Sequence, residues 1–475
     1  MAKKIYRWLG LTTLIPAQGM IFMDQTILPV ALPSIQHELG GGDVALQWSV
    51  NSYLLLTAML AITGGKIGDR LGHRFTLMLG IIIFILSSFL CGISPSIEFL
   101  IGARALQGLG AALLIPSNIA LFAALFPPNK RGGIMGLNAS IGSVFMILGP
   151  LIGGYLTESF SWRWIFWINL PLATIELILA GVFLPKTPRV HSKIDLRGFI
   201  YFAICSASLI IYFMQGSNWG WLSQKTLICA VLFLISLVLL IRREKKLEHP
   251  FLELALFKRP VFAAINVSIF IISFILMINV FRAIYFQEAL NYSPTQAGFI
   301  TFFACLPVLF IAPIGGYLSD RISPKLPIAI GYVMIIFSFL WLAWFSTPSL
   351  PSLLFALVFF GTGIPLIFTP SYSTAMQAVP PQKIGVAMGI LSTIRTFAAT
   401  MGVALIGLFL HMSQARYIRK LPDSAEREKL AEIASFSDVN YVLAFCLMIA
   451  FAFSFFLHRR KSTHHLPPSS AEGWD

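Results

Sequence analysis

Gly65-Lys66-Ile67-Gly68-Asp69-Arg70-Leu71-Gly72-His73-Arg74 is a glycine-rich, charged turn wedged between two apolar runs. About 250 residues later Gly316-Tyr317-Leu318-Ser319-Asp320-Arg321-Ile322-Ser323-Pro324-Lys325 repeats its outline, again between apolar runs. A second pair of stretches keeps the same offset. Gly108-Leu109-Gly110, Pro116-Ser117, Pro127-Pro128-Asn129-Lys130 and Met135-Gly136 reappear as Gly361-Thr362-Gly363, Pro370-Ser371, Pro380-Pro381-Gln382-Lys383 and Met388-Gly389, near 253 residues on. Repeats that run in the same direction and each contain several hydrophobic segments indicate a transporter built from two pseudo-symmetric halves.

The composition agrees. The 475 residues are 57% hydrophobic and 11% charged, where a soluble domain carries about a quarter charged residues. The chain therefore reads as an all-α polytopic membrane protein, because hydrocarbon leaves only helices or closed barrels and unbroken hydrophobicity selects helices. A net charge of +14 does not point to nucleic acid, since the basic residues lie at helix ends rather than on one soluble face. About 24 of the 34 Lys and Arg residues fall on one side of the predicted membrane, which the positive-inside rule makes cytoplasmic. Cys91, Cys205, Cys229, Cys305 and Cys446 stand singly in or beside apolar runs and read as packing residues. Lys3, Lys4 and Arg7 resemble a signal-peptide start, but no small-x-small cleavage site follows, so the run stays as the first helix.

Fourteen spans are predicted, near 9–33, 47–68, 76–94, 98–126, 133–157, 164–184, 198–215, 224–241, 261–287, 295–318, 326–345, 350–377, 384–411 and 438–457. The even count places both termini in the cytoplasm. The repeat uses six helices on each side, so the division is an N-terminal six-helix bundle (1–190), two additional helices (191–250), a C-terminal six-helix bundle (251–460) and a disordered cytoplasmic tail (461–475). The charged stretch from Arg416 to Asp438 is expected outside, as a loop or a short amphipathic excursion.

Asp24 lies about 16 residues past Trp8, roughly 24 Å along a helix and far from either flank. A carboxylate there costs on the order of 3 kcal/mol, so it faces the bundle interior, either gaining and losing protons or permanently paired with an arginine as structural glue. Arg104 shares a stripe of the fourth span with Gln107, and a guanidinium there can neutralise a neighbouring carboxylate. In the fifth span Gly142, Gly149, Pro150, Gly153 and Gly154 make a flat, kink-prone seam suited to two halves sliding over each other.

Gly65, Asp69, Arg70, Gly72 and Arg74, with Asp320 and Arg321 in the repeat, read as a latch on cytoplasmic helix ends. The plainer alternative is a positive-inside topology signal. Arg282 and Arg395 are further intramembrane charges in need of a carboxylate, carbonyls, water or an anionic substrate. With Gln107, Met23, Phe281 and Tyr372 they form the candidate translocation set. Glu176 and Glu288 read as interfacial acids or substrate contacts. No GxxxxGK[ST] loop, HExxH or paired His at ligand spacing occurs. No enzyme, cofactor or metal site is expected, and an ion gradient supplies the energy.

These motifs resemble the major facilitator superfamily, in particular its fourteen-helix drug:proton antiporter branch. Gly65 to Arg74 is similar to the loop motif after the second helix, Arg104 to Gly110 to the fourth-helix motif and Gly149 to Gly154 to the antiporter motif. Met23 to Pro33 resembles the branch's first-helix motif, with Pro29 where Asn is common. Trp162 to Pro171 resembles its entry to the sixth helix, and Arg395 sits where its thirteenth helix has an Arg. The resemblance implies two six-helix bundles plus two central helices, and a multidrug efflux transporter in a bacterial inner membrane. It implies export of small hydrophobic or amphipathic compounds for protons by alternating access, with Asp24 and Arg104 as the coupling pair. Its partners would be the lipid bilayer, the small-molecule cargo and an adaptor protein of an efflux complex. A nutrient symporter and a non-transporting sensor are the rival readings.

Overall fold

Backbone groups in hydrocarbon find partners within their own segment, and among the described residues the regular structure is entirely helical. The computed structural model describes residues 2–125, 131–187, 189, 195–247, 254–345, 347–379, 384–422 and 426–457. The first half comprises α1 (Ala2–Leu39), α2 (Asp43–Leu71), α3 (His73–Gly92), α4 (Ile97–Leu125), α5 (Arg131–Ser159), α6 (Trp164–Trp167) and α7 (Asn169–Phe183). A central pair follows, α8 (Leu196–Trp219) and α9 (Gln224–Glu244). The second half comprises α10 (Pro260–Leu276), α11 (Ile278–Glu288), α12 (Pro294–Cys305), α13 (Pro307–Arg321), α14 (Lys325–Trp344), α15 (Leu350–Gln377), α16 (Ile384–Lys420) and α17 (Arg427–Leu457). The tail from 461 lies outside the described residues.

Among the described residues thirteen helical stretches are long and apolar enough to cross a membrane, counting α6–α7, α10–α11 and α12–α13 as one each. α1 is outside that set, because Gln18, Asp24 and Gln25 interrupt its apolar surface. Three predicted single helices, at 164–184, 261–287 and 295–318, are broken. Pro307 opens α13 and Pro171 sits in the first turn of α7, each without an N–H to continue the helix before it. The break at Met277 has no proline.

Most of the stretch from Arg416 to Asp438 is helical. α16 continues to Lys420 and α17 already begins at Arg427. Tyr417 and Ser413 both donate to Asp438, at 3.2 and 2.8 Å, which ties the two extensions into a hairpin. Charged residues with good helix propensity lengthen a helix where it leaves the apolar layer.

The repeat is visible as matched close approaches. A Cβ on Gly108 of α4 would stand 2.5 Å from the Tyr53 carbonyl oxygen of α2, and 253 positions later Gly361 of α15 meets the Ala304 carbonyl of α12 the same way. In both halves, bare backbone lets two helices touch.

The halves meet at the end of the bundle that carries Gly41 and Ser293. α5 lies along α12, and a side chain on Gly154 would strike the Pro294 carbonyl just as one on Gly298 would strike that of Pro150. Glu158 accepts from Ser293 Oγ at 2.8 Å and from the Thr295 N–H at 2.9 Å, and Gln287 donates to the Val30 carbonyl at 2.9 Å. At the second seam Gly407 of α16, 253 positions after Gly154, faces the Gln47 amide of α2. Toward the opposite end a Cβ on Gly389 of α16 would meet no described residue within 4 Å. The halves are closed against each other at the Gly41–Ser293 end.

α8 and α9 form a hairpin held by Asp195, which caps α8 through the Gly198 N–H and binds Arg243 of α9 at 2.6 Å. Partial burial pushes the Asp195 carboxyl up, but Arg243 and the Gly198 N–H hold it below the usual carboxylate range.

Gly154→Val puts two methyl groups against backbone that cannot swing aside, so the closed end is expected to open. Spin labels at Phe160 and Asn291, in a background without the five cysteines, are expected to show a longer distance population in the variant. An unchanged distribution would mean that this seam does not control closure.

Candidate functional site

The centre of the first half holds a buried ion pair. Asp24 of α1 is 2% exposed and Arg104 of α4 is 1% exposed. Arg104 Nη1 donates to Asp24 Oδ1 at 2.9 Å and Oδ2 at 2.8 Å. The contact is end-on, through one nitrogen, rather than the parallel two-nitrogen fork that holds carboxylates hardest. Asp24 therefore proves to have an arginine partner, which sequence alone left open.

Gln107, one turn after Arg104, joins both charges. Its Oε1 accepts from Arg104 Nη1 at 2.5 Å, while its Nε2 donates to Asp24 at 3.3 Å and to Ser88 Oγ of α3 at 3.0 Å. Arg104 Nε donates to the Ser49 carbonyl of α2 at 3.1 Å, and the guanidinium lies 4.4 Å from the centre of the Tyr53 ring. Arg104 thus keeps several partners if Asp24 is neutralised, whereas among the described residues Asp24 without Arg104 keeps only a long bond to Gln107. Ser49, Tyr53 and Ser88 carry no sequence signal; they are ordinary span residues until α2, α3 and α4 pack around Arg104.

The glycine-rich face of α5 presses on the same helix. Gly142, Gly149 and Gly153 of α5 face Phe22, Thr26 and Ile27 of α1, while Thr26 Oγ1 donates to the Met146 carbonyl at 3.0 Å. Pro150 and Gly154 point the other way, to α12. α5 is therefore the element between the ion-paired helix and the opposite half.

The charged turn forms a different set of contacts from a cluster of Asp69 with Arg70 and Arg74. Gly72 turns the chain at φ +97°, in the left-handed region that favours glycine. Asp69 meets His73 Nε2 at 3.1 Å, and Arg70 is exposed. Arg74 reaches the last carbonyls of α7, donating to Leu184 at 2.9 Å and also to Gly181. A cation on helix-end carbonyls is favourable, and here it joins helices of one half. Gly65 packs near Pro116. In the repeat, Arg321 is exposed and stacks 5.2 Å from the Tyr317 ring, whereas the Asp320 side chain lies outside the described residues.

The translocation candidates do not share one lining. Met23 and Phe281 are buried in the main core. Arg395 of α16 stands 5.9 Å from the Phe22 ring across the two halves, and Tyr372 stacks on Phe368 in a separate cluster. Glu176 of α7 is not interfacial. It is fully buried beside the Ala17 backbone, with neither carboxylate oxygen meeting a donor in hydrogen-bond geometry. Two residues before α6, Trp162 Nε1 donates to Glu38 at 2.6 Å and Arg163 pairs with the same carboxylate at 2.5 Å, anchoring the end of α1.

Comparison with known proteins agrees with this architecture. Residues 14–403 match the family model described as Major Facilitator Superfamily. The chain is similar to "Multidrug resistance protein Stp" of Mycobacterium tuberculosis, at 31% identity over 87% of this chain and 79% of that protein. It is similar at 30% identity to "Riboflavin transporter RibZ" of Clostridioides difficile, over 86% and 89% of the two chains. Among solved structures, an inward-facing, unoccupied bacterial homologue of the human lysosomal transporter Spinster superposes with a TM-score of 0.69. Its sequence identity is 16%, with 95% of this chain and 97% of that one covered.

Removing one member of a buried pair strands the other, at a cost of about 3–5 kcal/mol. Because Arg104 has alternative partners, Arg104→Ala is expected to lower the melting temperature in detergent more than Asp24→Asn does. Equal losses would mean that Gln107, Ser49 and Tyr53 do not support the guanidinium.

Proposed function

This chain belongs to the Major Facilitator Superfamily, and from that premise we propose that it exports amphipathic toxic compounds in exchange for protons by alternating access. Membership makes it a multi-pass membrane transporter rather than an enzyme. The observation that carries the proposal is the buried pair of Asp24 and Arg104, on two different helices and linked through Gln107. A charge pair in hydrocarbon that can be broken by one proton is a switch whose two states differ in charge and in helix contacts.

In this reading α1 is the fourteenth crossing, α8 and α9 are the two additional helices, and residues 1–190 and 251–460 are the moving bundles. The 65–74 turn and both termini face the cytoplasm of a bacterium, so the closed end is outside and the structure is inward-facing. The pair is formed in that state, as it would be after a proton has left toward the cytoplasm. A proton arriving from outside neutralises Asp24 and leaves Arg104 on Gln107 and Ser49. The freed α1 then shifts against the glycine face of α5. Met23, Phe281, Arg395 and Tyr372 supply apolar and cationic positions for cargo as the bundles rock. Arg74 keeps α3 and α7 together within one bundle throughout. The available drive is about 2.3 kcal/mol per charge per 100 mV plus about 1.4 kcal/mol per pH unit.

The similarity to a multidrug resistance protein supports export. The similarity to a riboflavin transporter favours a second reading, proton-coupled uptake of a nutrient. The sign of the coupled proton movement separates them. In proteoliposomes with an acidic lumen, adding a cationic dye outside is expected to release lumenal protons in exchange for dye. Asp24→Asn is expected to reduce that exchange to the level of empty vesicles while the protein still folds. Wild-type exchange by Asp24→Asn would remove the assignment, and proton entry together with cargo would favour uptake.

A further inference from the structure

Glu176 of α7 is a buried acid that the Asp24 switch leaves unused. It is 0% exposed, it lies beside the Ala17 backbone of α1, and neither carboxylate oxygen meets a donor in hydrogen-bond geometry. On α1 and α3, the helices packed most extensively on α7, the described titratable side chains are Asp24, His37, Glu38, His73, Arg74 and Cys91. Arg74 is taken by the Leu184 and Gly181 carbonyls and His73 by Asp69. The fully buried arginines are committed elsewhere, Arg104 to Asp24 and Arg282 of α11 between the Phe360 and Phe339 rings, at 4.4 and 5.1 Å. Among the described residues Glu176 enters no ion pair. In hydrocarbon an ionised carboxylate without a counter-charge is far costlier than the neutral acid, so Glu176 holds a proton in this conformation.

The register of α1 on α7 relates this acid to the switch. A Cβ on Gly10 would stand 3.6 Å from the Phe183 carbonyl, and Ala17 lies at Glu176. Seven steps forward on α1 match seven steps back on α7, so the two helices run antiparallel, and a further seven bring Asp24 level with Asn169. Seven residues are two turns, about 10 Å along the axis, and return to the same helix face. Asn169, Ala173, Glu176 and Ala180 form the buried stripe of α7. Asn169 is 1% exposed, and its Oδ1 and Nδ2 both lack a hydrogen-bond partner among the described residues. Polar groups therefore mark the line between α1 and α7 at the level of Asp24 and again two turns nearer the end where Arg74 meets Leu184.

The two acids stand in opposite states, Asp24 closed on Arg104 and Glu176 neutral. We propose that Glu176 is a proton relay, which takes the proton that leaves Asp24 and passes it to the end of the bundle that carries the 65–74 turn. The inference rests on the proton-exchange reading above. Glu176 first gives its own proton to water at that end. Its carboxylate then takes the proton from Asp24, through water admitted between α1 and α7 as α1 shifts, and Arg104 closes on the carboxylate left behind. One proton leaves Glu176 for each that arrives, and the cycle returns it to the neutral acid. Asn169, with an unused donor and acceptor, stands where the transfer begins.

The test uses full-length protein in proteoliposomes with ethidium as the probe. Two rates are compared: ethidium uptake driven by an acidic lumen, and exchange of labelled for unlabelled ethidium at equal pH, which moves no net proton. Glu176→Gln keeps the shape but carries no transferable proton, and is expected to lower the ratio of the first rate to the second about 100-fold. Glu176→Asp retains an acid at shorter reach and is expected to fall between that variant and the wild type. Infrared spectra of the wild type, labelled with carbon-13 glutamate, are expected to contain a protonated-carboxyl band at neutral pH that shifts in heavy water and is weakened in Glu176→Gln. An unchanged ratio in Glu176→Gln, an aspartate variant coupled no better than the glutamine one, or a wild type without an exchangeable protonated-glutamate band would each overturn the relay alone, the last even where neither variant folds. A wild type in which ethidium moves no protons would overturn the exchange reading and the relay together.

Discussion

Water is the constraint behind this molecule, through its absence. A carboxylate and a guanidinium in the apolar centre of a bundle persist only if each supplies what solvent would have supplied, and Asp24 and Arg104 do so at 2.8 Å. The rest of the first half follows from that requirement. Gln107 links both charges, Ser88 orients Gln107, Ser49 contributes a carbonyl and Tyr53 a ring face. Five helices are thereby committed to a common geometry: α1 and α4 carry the charges, α2 and α3 satisfy the remaining donors, and α5 packs on α1. A change in the charge of one side chain is therefore felt by a whole bundle rather than by one helix.

Glycine supplies the complementary freedom. Where Gly154 and Gly298 leave backbone bare, α5 and α12 approach as closely as two helices can, without side chains that interlock. Such a surface is held by dispersion and by a few hydrogen bonds at its rim, those of Glu158 with Ser293 and Thr295. It can part without unlacing a core. Stiffness inside each half and smoothness between halves arise here from different residue types.

Much of this was legible before any coordinates. The 253-residue offset identified two halves, apolar runs identified spans, and Asp24, Arg104 and the α5 glycines stood out as costly or unusual for their surroundings. What sequence could not carry was pairing across distance. Asp24 and Arg104 are 80 residues apart, and their contact exists only because α1 crosses α4 at that depth. Ser49 and Ser88 are common residues made specific by position. Arg282 shows the limit most clearly, since a sequence displays a charge but not that it enters no ion pair among the described residues. The stretch from Arg416 to Asp438 stayed open between a loop and a short amphipathic excursion, because its charge hid the helix propensity and the bonds to Asp438 that extend both helices beyond the apolar layer.

The central hairpin makes the two sides of the molecule unequal. α8 lies where α2 meets α16, with Ile210 and Met214 packed among Leu55, Met401 and Ala404. No comparable element among the described residues lies over the meeting of α5 and α12. A greasy molecule dissolved in the surrounding bilayer would find one flank shuttered and the other bare. The handedness of lateral access is set by where α8 and α9 lie on the bundle.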